Sequence, residues 1–239
     1  EEVSAVNIRV RFRKYGVLKF IGHLDVMRYF QKAIRRADID ICYSEGYSPH
    51  MIMSFASPLG LGLESDGEYM DIRINGSISS EEAVRRLNAV MVEGIDVMSF
   101  RELPENSKNA MASVAAADYE VRFREGCAPE DGWKKQFTEF LAQPEMRIVK
   151  ETKKGQQEID IRPWIYSWEI VDDMIKMQVS AGSVHNLKPE MVLKAFAEHI
   201  GWDMPQFALL VTRREMYADQ GTEEERKLIS LEALGEEIG

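Results

Sequence analysis

Hydrophobic and polar positions alternate strictly from Asn7 to Arg13. Ile8, Val10 and Phe12 fall on one face and Arg9, Arg11 and Arg13 on the other, the pattern of a half-buried strand. From Leu24 to Ala37 the period changes to that of a helix: Leu24, Met27, Phe30, Ile34 and Ala37 share one side, and Arg28, Lys32, Arg35 and Arg36 the opposite one. Ile39–Tyr43 and Glu68–Ile74 read as further strands. Ser79-Ser80-Glu81-Glu82 opens, with a cap and early acids, a helix whose apolar positions run to Met91, and Ile95–Leu103 reads as a fourth strand. The order β-α-β-β-α-β predicts a ferredoxin-like, split βαβ domain.

The pattern then restarts. Val121-Arg122-Phe123-Arg124 repeats Val10-Arg11-Phe12-Arg13, again in an alternating segment followed by a glycine turn. A helix over 133–141, strands at 146–149, 158–161, 167–171 and 174–180, a helix over 189–200 and a strand at 208–216 follow the same scheme with an extra strand or two. The expected fold class is α+β, two ferredoxin-like domains in tandem, with antiparallel sheets and helices on one face. The domains are 1–103, with a long 43–66 loop, and 118–217. Residues 104–117 link them, and an acidic tail, 218–239, forms either a short helix or a disordered end.

Apolar residues at 45% and charged residues at 29% fit a globular protein with a real core. No apolar run is long enough to span a membrane and the N-terminus lacks the layout of a signal peptide, so a cytoplasmic location is expected. Cys42 and Cys127, isolated from one another, can ligate neither an iron–sulfur cluster nor a structural zinc ion, so no cofactor is expected. The net charge is −10, yet Arg9, Arg11, Arg13, Lys14, Lys19, Arg28, Lys32, Arg35 and Arg36 stand against Asp25 alone, a local excess of +8. That excess reads either as a phosphate-holding patch or as a strand face and a solvated helix face. If the two faces point the same way, RNA is the better partner than duplex DNA, although Phe12 lies on the apolar side and no stacking aromatic is evident on the first strand.

The stretch Tyr43–Leu63 carries two Pro, three Gly and four Ser among bulky apolar residues, which predicts a long, ordered loop. His23 and Asp25 at the first helix, with Tyr43, Ser44, Glu45, Gly46, Ser48, Pro49 and His50 in the loop, form the candidate site. His and carboxylate groups there suit acid–base work or a metal; the structural alternative is a helix cap with local hydrogen bonds. Gly60-Leu61-Gly62 lacks the third glycine and the following helix of a dinucleotide loop. Asp160 and Arg162 suggest a cross-strand ion pair.

Phe12-x-Lys14-x-Gly16-x-Leu18-Lys19-Phe20-Ile21-Gly22-His23-Leu24-Asp25 and Tyr43-Ser44-Glu45-Gly46-Tyr47-Ser48-Pro49-His50 resemble the radical SAM-associated DUF2344 family. So do Gly67-Glu68-Tyr69-Met70-Asp71, the Met111-Ala112-Ser113 and Ala117-Asp118-Tyr119 segments, and Ile159-Asp160-Ile161-Arg162-Pro163. The resemblance covers about Ile8 to Met216. Members of that family are fused behind a radical SAM domain or encoded beside one, often near genes for ribosomal and RNA-processing proteins. This chain lacks the three-cysteine cluster motif, so it resembles the stand-alone form. The resemblance implies an accessory protein that binds RNA or ribosome-related particles and works with a separate radical SAM protein. It carries no catalytic residue over. The alternatives are an enzyme or ligand-binding protein using the His/Asp/Glu site, and a pure docking scaffold.

Overall fold

The computed structural model describes residues 4–239. It is mixed α+β, its strands mostly antiparallel, and divides into two compact units. The first holds the chain up to Ala116 together with Arg213–Gly239, and the second Ala117–Thr212. No helix among the described residues is long and apolar enough to cross a membrane.

The first unit opens with β1 (Ala5–Lys14), α1 (His23–Arg36), β2 (Met53–Phe55), β3 (Glu64–Asn75), α2 (Ser80–Val90), β4 (Ile95–Glu102) and the short α3 (Ala110–Ser113). Strict alternation on β1 sends Ile8, Val10 and Phe12 into one core with Val26, Phe30 and Ile34 of α1 and Ala83 and Leu87 of α2. The strands lie in the order β4-β1-β3-β2 with antiparallel pairings. Helix α2 starts at the expected cap, where Ser79 Oγ accepts from the Glu82 N–H at 3.2 Å. Gly94 sits at φ +105°, and a Cβ there would stand 2.8 Å from the Leu18 side chain, so the turn into β4 requires glycine.

Two expectations change here. Ile39–Tyr43 is not a strand: it makes only isolated bridges, Ile41 with Ile74 and Tyr43 with Met51. The second strand is β2, inside the stretch expected to be loop. Phe55 is the cause, because its ring fills the space beside Phe12 and Phe30, with centroids 6.1 and 6.0 Å away. The third strand starts at Glu64 rather than Glu68, and it bulges where Phe12 faces Glu68 but Lys14 faces Ser65.

The second unit takes β5 (Ala116–Phe123), α4 (Trp133–Leu141), β6 (Arg147–Thr152), β7 (Gly155–Asp160), β8 (Ile165–Val171), β9 (Met174–Ser180), α5 (Pro189–Ile200) and the start of β10 (Leu209–Asp219). Its main strand order is β10-β5-β9-β8, with β6 and β7 forming a separate two-stranded hairpin. Phe137, buried on α4, meets Phe196 of α5 edge-on at 5.0 Å in the core. Ranked among the four strands just named for each unit, both orders read fourth-first-third-second, and in both units the chain makes an excursion between the first helix and the next of these strands. Asp160 is a backbone cap rather than half of a cross-strand ion pair: its Oδ1 accepts from the Met146 and Arg162 N–H groups at 2.8 and 3.0 Å.

The acidic C-terminus is neither a helix nor loose. From Arg213 the chain belongs to the first unit, where β11 (Leu228–Ser230), a 3-10 turn (Glu232–Leu234) and β12 (Glu236–Glu237) follow. Leu231 is fully buried and β12 pairs with β4, so apolar burial and an open sheet edge organise a stretch whose charge suggested otherwise.

Candidate functional site

The face of β1 opposite the helices carries Arg9, Arg11 and Arg13, and the fold supplies an acid for each. Arg9 is 1% exposed and grips Asp71 with Nε and Nη2 at 2.9 and 3.0 Å, while Nη1 donates to the Leu231 carbonyl. Asp71 also accepts from the Ala110 N–H at the start of α3, at 2.6 Å. Arg11 reaches Glu232 at 2.6 Å and Glu215 at 3.1 Å, and Tyr69 donates its hydroxyl to Glu215. Arg13 pairs with Asp66 at 2.9 Å and with Asp96 at 3.4 Å, and Asp66 is shared with Arg214. Gly67 lets the chain at Arg214 approach, since a Cβ there would lie 2.7 Å from the Arg214 carbonyl oxygen.

The titrations follow from this packing. Burial pushes the Glu215 carboxyl up, beyond what its bonds from Tyr69 and Arg11 offset. Burial also acts on Glu232 and Asp66, but arginine outweighs it in both: Arg11 holds Glu232 below the ordinary carboxylate range, and Arg13 and Arg214 do the same for Asp66.

Lys14 has the parity of Phe12 and therefore turns to the core side. It is 2% exposed, its Nζ donates to the Ile21 carbonyl at 2.7 Å, and burial lowers its pKa. Near it Glu68 takes two bonds from Arg213, at 2.9 and 2.8 Å, and one from Ser65 at 2.7 Å. Five of the nine residues of the expected basic patch thus leave it. Arg9 and Lys14 are buried, Arg11 and Arg13 are neutralised, and Lys19 stands 4.0 Å from Glu64. The remaining four are on α1. Because α1 packs on the Ile8/Val10/Phe12 side, its outward basic face and the β1 arginines lie on opposite sides of the sheet. Arg28 meets Asp25 at 3.6 Å, and Lys32, Arg35 and Arg36 are exposed.

The loop residues form a different arrangement from the expected cluster. His23 takes the first turn of α1, its ring edge-on to Phe55 with centroids 5.1 Å apart. Asp25, also in that turn, faces Arg28. Ser44 and His50 close the excursion: Ser44 Oγ lies 2.8 Å from His50 Nδ1 and accepts from the His50 N–H at 3.1 Å, and the Ser44 N–H donates to the His50 carbonyl. Glu45, Gly46, Ser48 and Pro49 make the exposed tip, with Tyr47 fully exposed and Tyr43 partly so. Among the described residues no three His, Cys, Asp or Glu side chains gather closely enough to hold a metal ion.

Sequence reading missed the acids that quench β1, above all Glu215 and Glu232, which stand more than 200 positions along the chain. The surplus of acid in the C-terminal stretch was the available signal. It also missed the exposed apolar turn Gly16–Phe20, where Val17 and Phe20 are 78% and 66% exposed.

This is a two-unit α+β protein with one ionic sheet face turned inward and one basic helix face left open. Residues 7–189 match the family described as an uncharacterized protein conserved in bacteria, DUF2344, and the chain belongs to that family. No curated protein matches it. Among solved structures it is similar to a chain of a Cbf5–Nop10–Gar1 complex, at 12% identity and a TM-score of 0.42, over 87% of this chain and 48% of that one. It is also similar to an unknown protein from Galdieria sulphuraria (11% identity, TM-score 0.27, 88% and 99% covered). A third likeness is to a putative glycine cleavage system transcriptional repressor (11%, 0.24, 87% and 98%). This chain spans about half the length of the first of these.

Proposed function

We propose that this chain is a non-catalytic accessory protein, cytoplasmic, that binds RNA or a ribonucleoprotein for a separate radical SAM enzyme, on two ferredoxin-like units. The observation that carries the reading is the outward stripe of α1. Arg28, Lys32 and Arg35, with Arg36 at its flank, stand exposed on one helix, where Arg28 meets Asp25 at 3.6 Å, whereas the β1 cations are matched by acids. Charge left unmatched at a surface of a protein with net charge −10 is suited to a polyanion that makes local rather than bulk contact. The exposed Tyr43 and Tyr47 supply the aromatic groups that β1 lacks. The strand orders of the two units support the ferredoxin-like reading, and the family resemblance supports the radical SAM partner.

The test is RNA binding by the intact chain at two salt concentrations. Affinity is expected to fall as salt rises, with a slope of about −0.7 per phosphate neutralised for a single strand. Charge reversal at Lys32 and Arg35 should abolish it. Binding that ignores salt, or none at all, overturns the RNA reading. A pull-down with the neighbouring radical SAM protein tests the partnership separately.

A further inference from the structure

We propose that the 3-10 turn Gly16–Phe20 and the α1 stripe together form a site for single-stranded RNA, with unpaired bases on Val17, Phe20 and Leu24 and phosphates on Arg28, Lys32 and Arg35. This rests on the RNA reading above and names the form of RNA that the same surface takes.

Three observations lead there. Val17, Phe20 and Leu24 are 78%, 66% and 60% exposed, more than Met111 of α3 at 55% and Met98 of β4 at 51%, the other exposed large apolar side chains on the described strands and helices of this unit. In a 3-10 turn residues three apart eclipse, so Val17 and Phe20 project on one side. Leu24, exposed rather than on the apolar side that the helical period gave it, then opens a line through Arg28, Lys32 and Arg35, at i+4, i+8 and i+11, which is one face of an α-helix. The apolar head is thus continuous with the basic stripe, and the stripe places its cations about 4.5–6 Å apart along the axis.

The second observation is that the head is braced. The Gly62 N–H donates to the Lys19 carbonyl at 2.8 Å, which ties the 60–63 turn to the head and reduces the ordering that a ligand must impose. Third, Lys19 Nζ lies over the Phe20 ring, 5.3 Å from its centroid and 4.0 Å from Glu64, which leaves the opposite ring face for a base. A duplex turns its bases inward and shows this head only sugar and phosphate, which an apolar surface cannot use. An unpaired strand offers both a π-face for Phe20 and a phosphate for each cation.

The experiment is fluorescence anisotropy of the intact chain with labelled oligouridylate and oligoadenylate, a blunt RNA duplex of equal length, and the matching single-stranded DNA. The single strands of RNA are expected to bind at least tenfold more tightly than the duplex. Phe20→Ala should weaken single-strand binding about 5- to 160-fold, the range for loss of one stacked base, with the duplex and the thermal melt unchanged. Phe20→Trp should restore it. Arg28→Ala with Lys32→Ala should lower the salt slope while Phe20→Ala leaves it alone. If RNA binds but the duplex binds equally well, or Phe20→Ala changes nothing, the inference fails and the RNA reading stands. If DNA binds as tightly as RNA, the assignment to RNA fails. If no polynucleotide binds in a salt-sensitive way, both fail. If Phe20→Ala keeps RNA affinity and loses co-purification with the radical SAM protein, the head belongs to a protein interface and the inference is wrong.

Discussion

Strand β1 and helix α1 carry the same kind of side chain, and the fold treats them in opposite ways. Arg9, Arg11 and Arg13 meet Asp71, Glu215, Glu232, Asp66 and Asp96 within 3.4 Å, and Arg9 loses almost all contact with water. Lys32, Arg35 and Arg36 keep theirs. The difference lies in what each face opposes. A strand in the middle of a sheet has neighbours on both sides and a covering layer, so a charge there must find a counter-charge or pay heavily in desolvation. The outward face of a surface helix opposes solvent, and its cations need no partner. A local charge excess in a sequence is therefore a binding surface only where the fold leaves it unmatched.

The largest test of this contrast is stability. Arg9→Ala leaves Asp71, 11% exposed, without its guanidinium and should cost about 3 kcal/mol in urea unfolding. Arg35→Ala should stay within about 0.5 kcal/mol of the parent chain. Equal effects would break the comparison. Next in size is Glu232→Ala, which takes one carboxylate from Arg11 and Arg101 and should cost about 1–3 kcal/mol, read the same way.

Acid should act on the sheet face and spare the helix. The Asp66 and Glu232 carboxyls are held low in the native state, so their contribution is complete above the unfolded values of about 3.9 and 4.3 and is lost as pH falls through the lower native ones. Glu215 is held high, so it opposes this, weakening the fold as pH rises past its unfolded value. Melting curves between neutral pH and about pH 3 should fall on the acid side, and Asp66→Asn should flatten that fall. An unchanged slope in the variant would remove Asp66 from the account. The smallest effect is expected at the loop. Ser44→Ala removes the closure to His50 at an exposed site and should cost about 0.5–1.5 kcal/mol, with faster amide exchange at His50 and an unchanged core.

The sequence by itself determined the elements. Periods of two and 3.6 located β1, α1, α2 and β4 and most of the second unit, because the same alternation that is readable in Ile8, Val10 and Phe12 is what the core selects. The Ser79 cap and the family were legible for similar reasons, being local in the chain. Tertiary structure alone decided three things. It placed β2 at Met53–Phe55, since only the nearness of Phe12 and Phe30 tells Phe55 where to go. It drew the chain after Arg213 into the first unit, where Glu215 and Glu232 meet Arg11 from more than 200 positions away, a pairing no local pattern encodes. And it separated one apparent basic patch into an inward ionic face and an outward stripe, because which side of a sheet a residue faces is local, but what waits on that side is not.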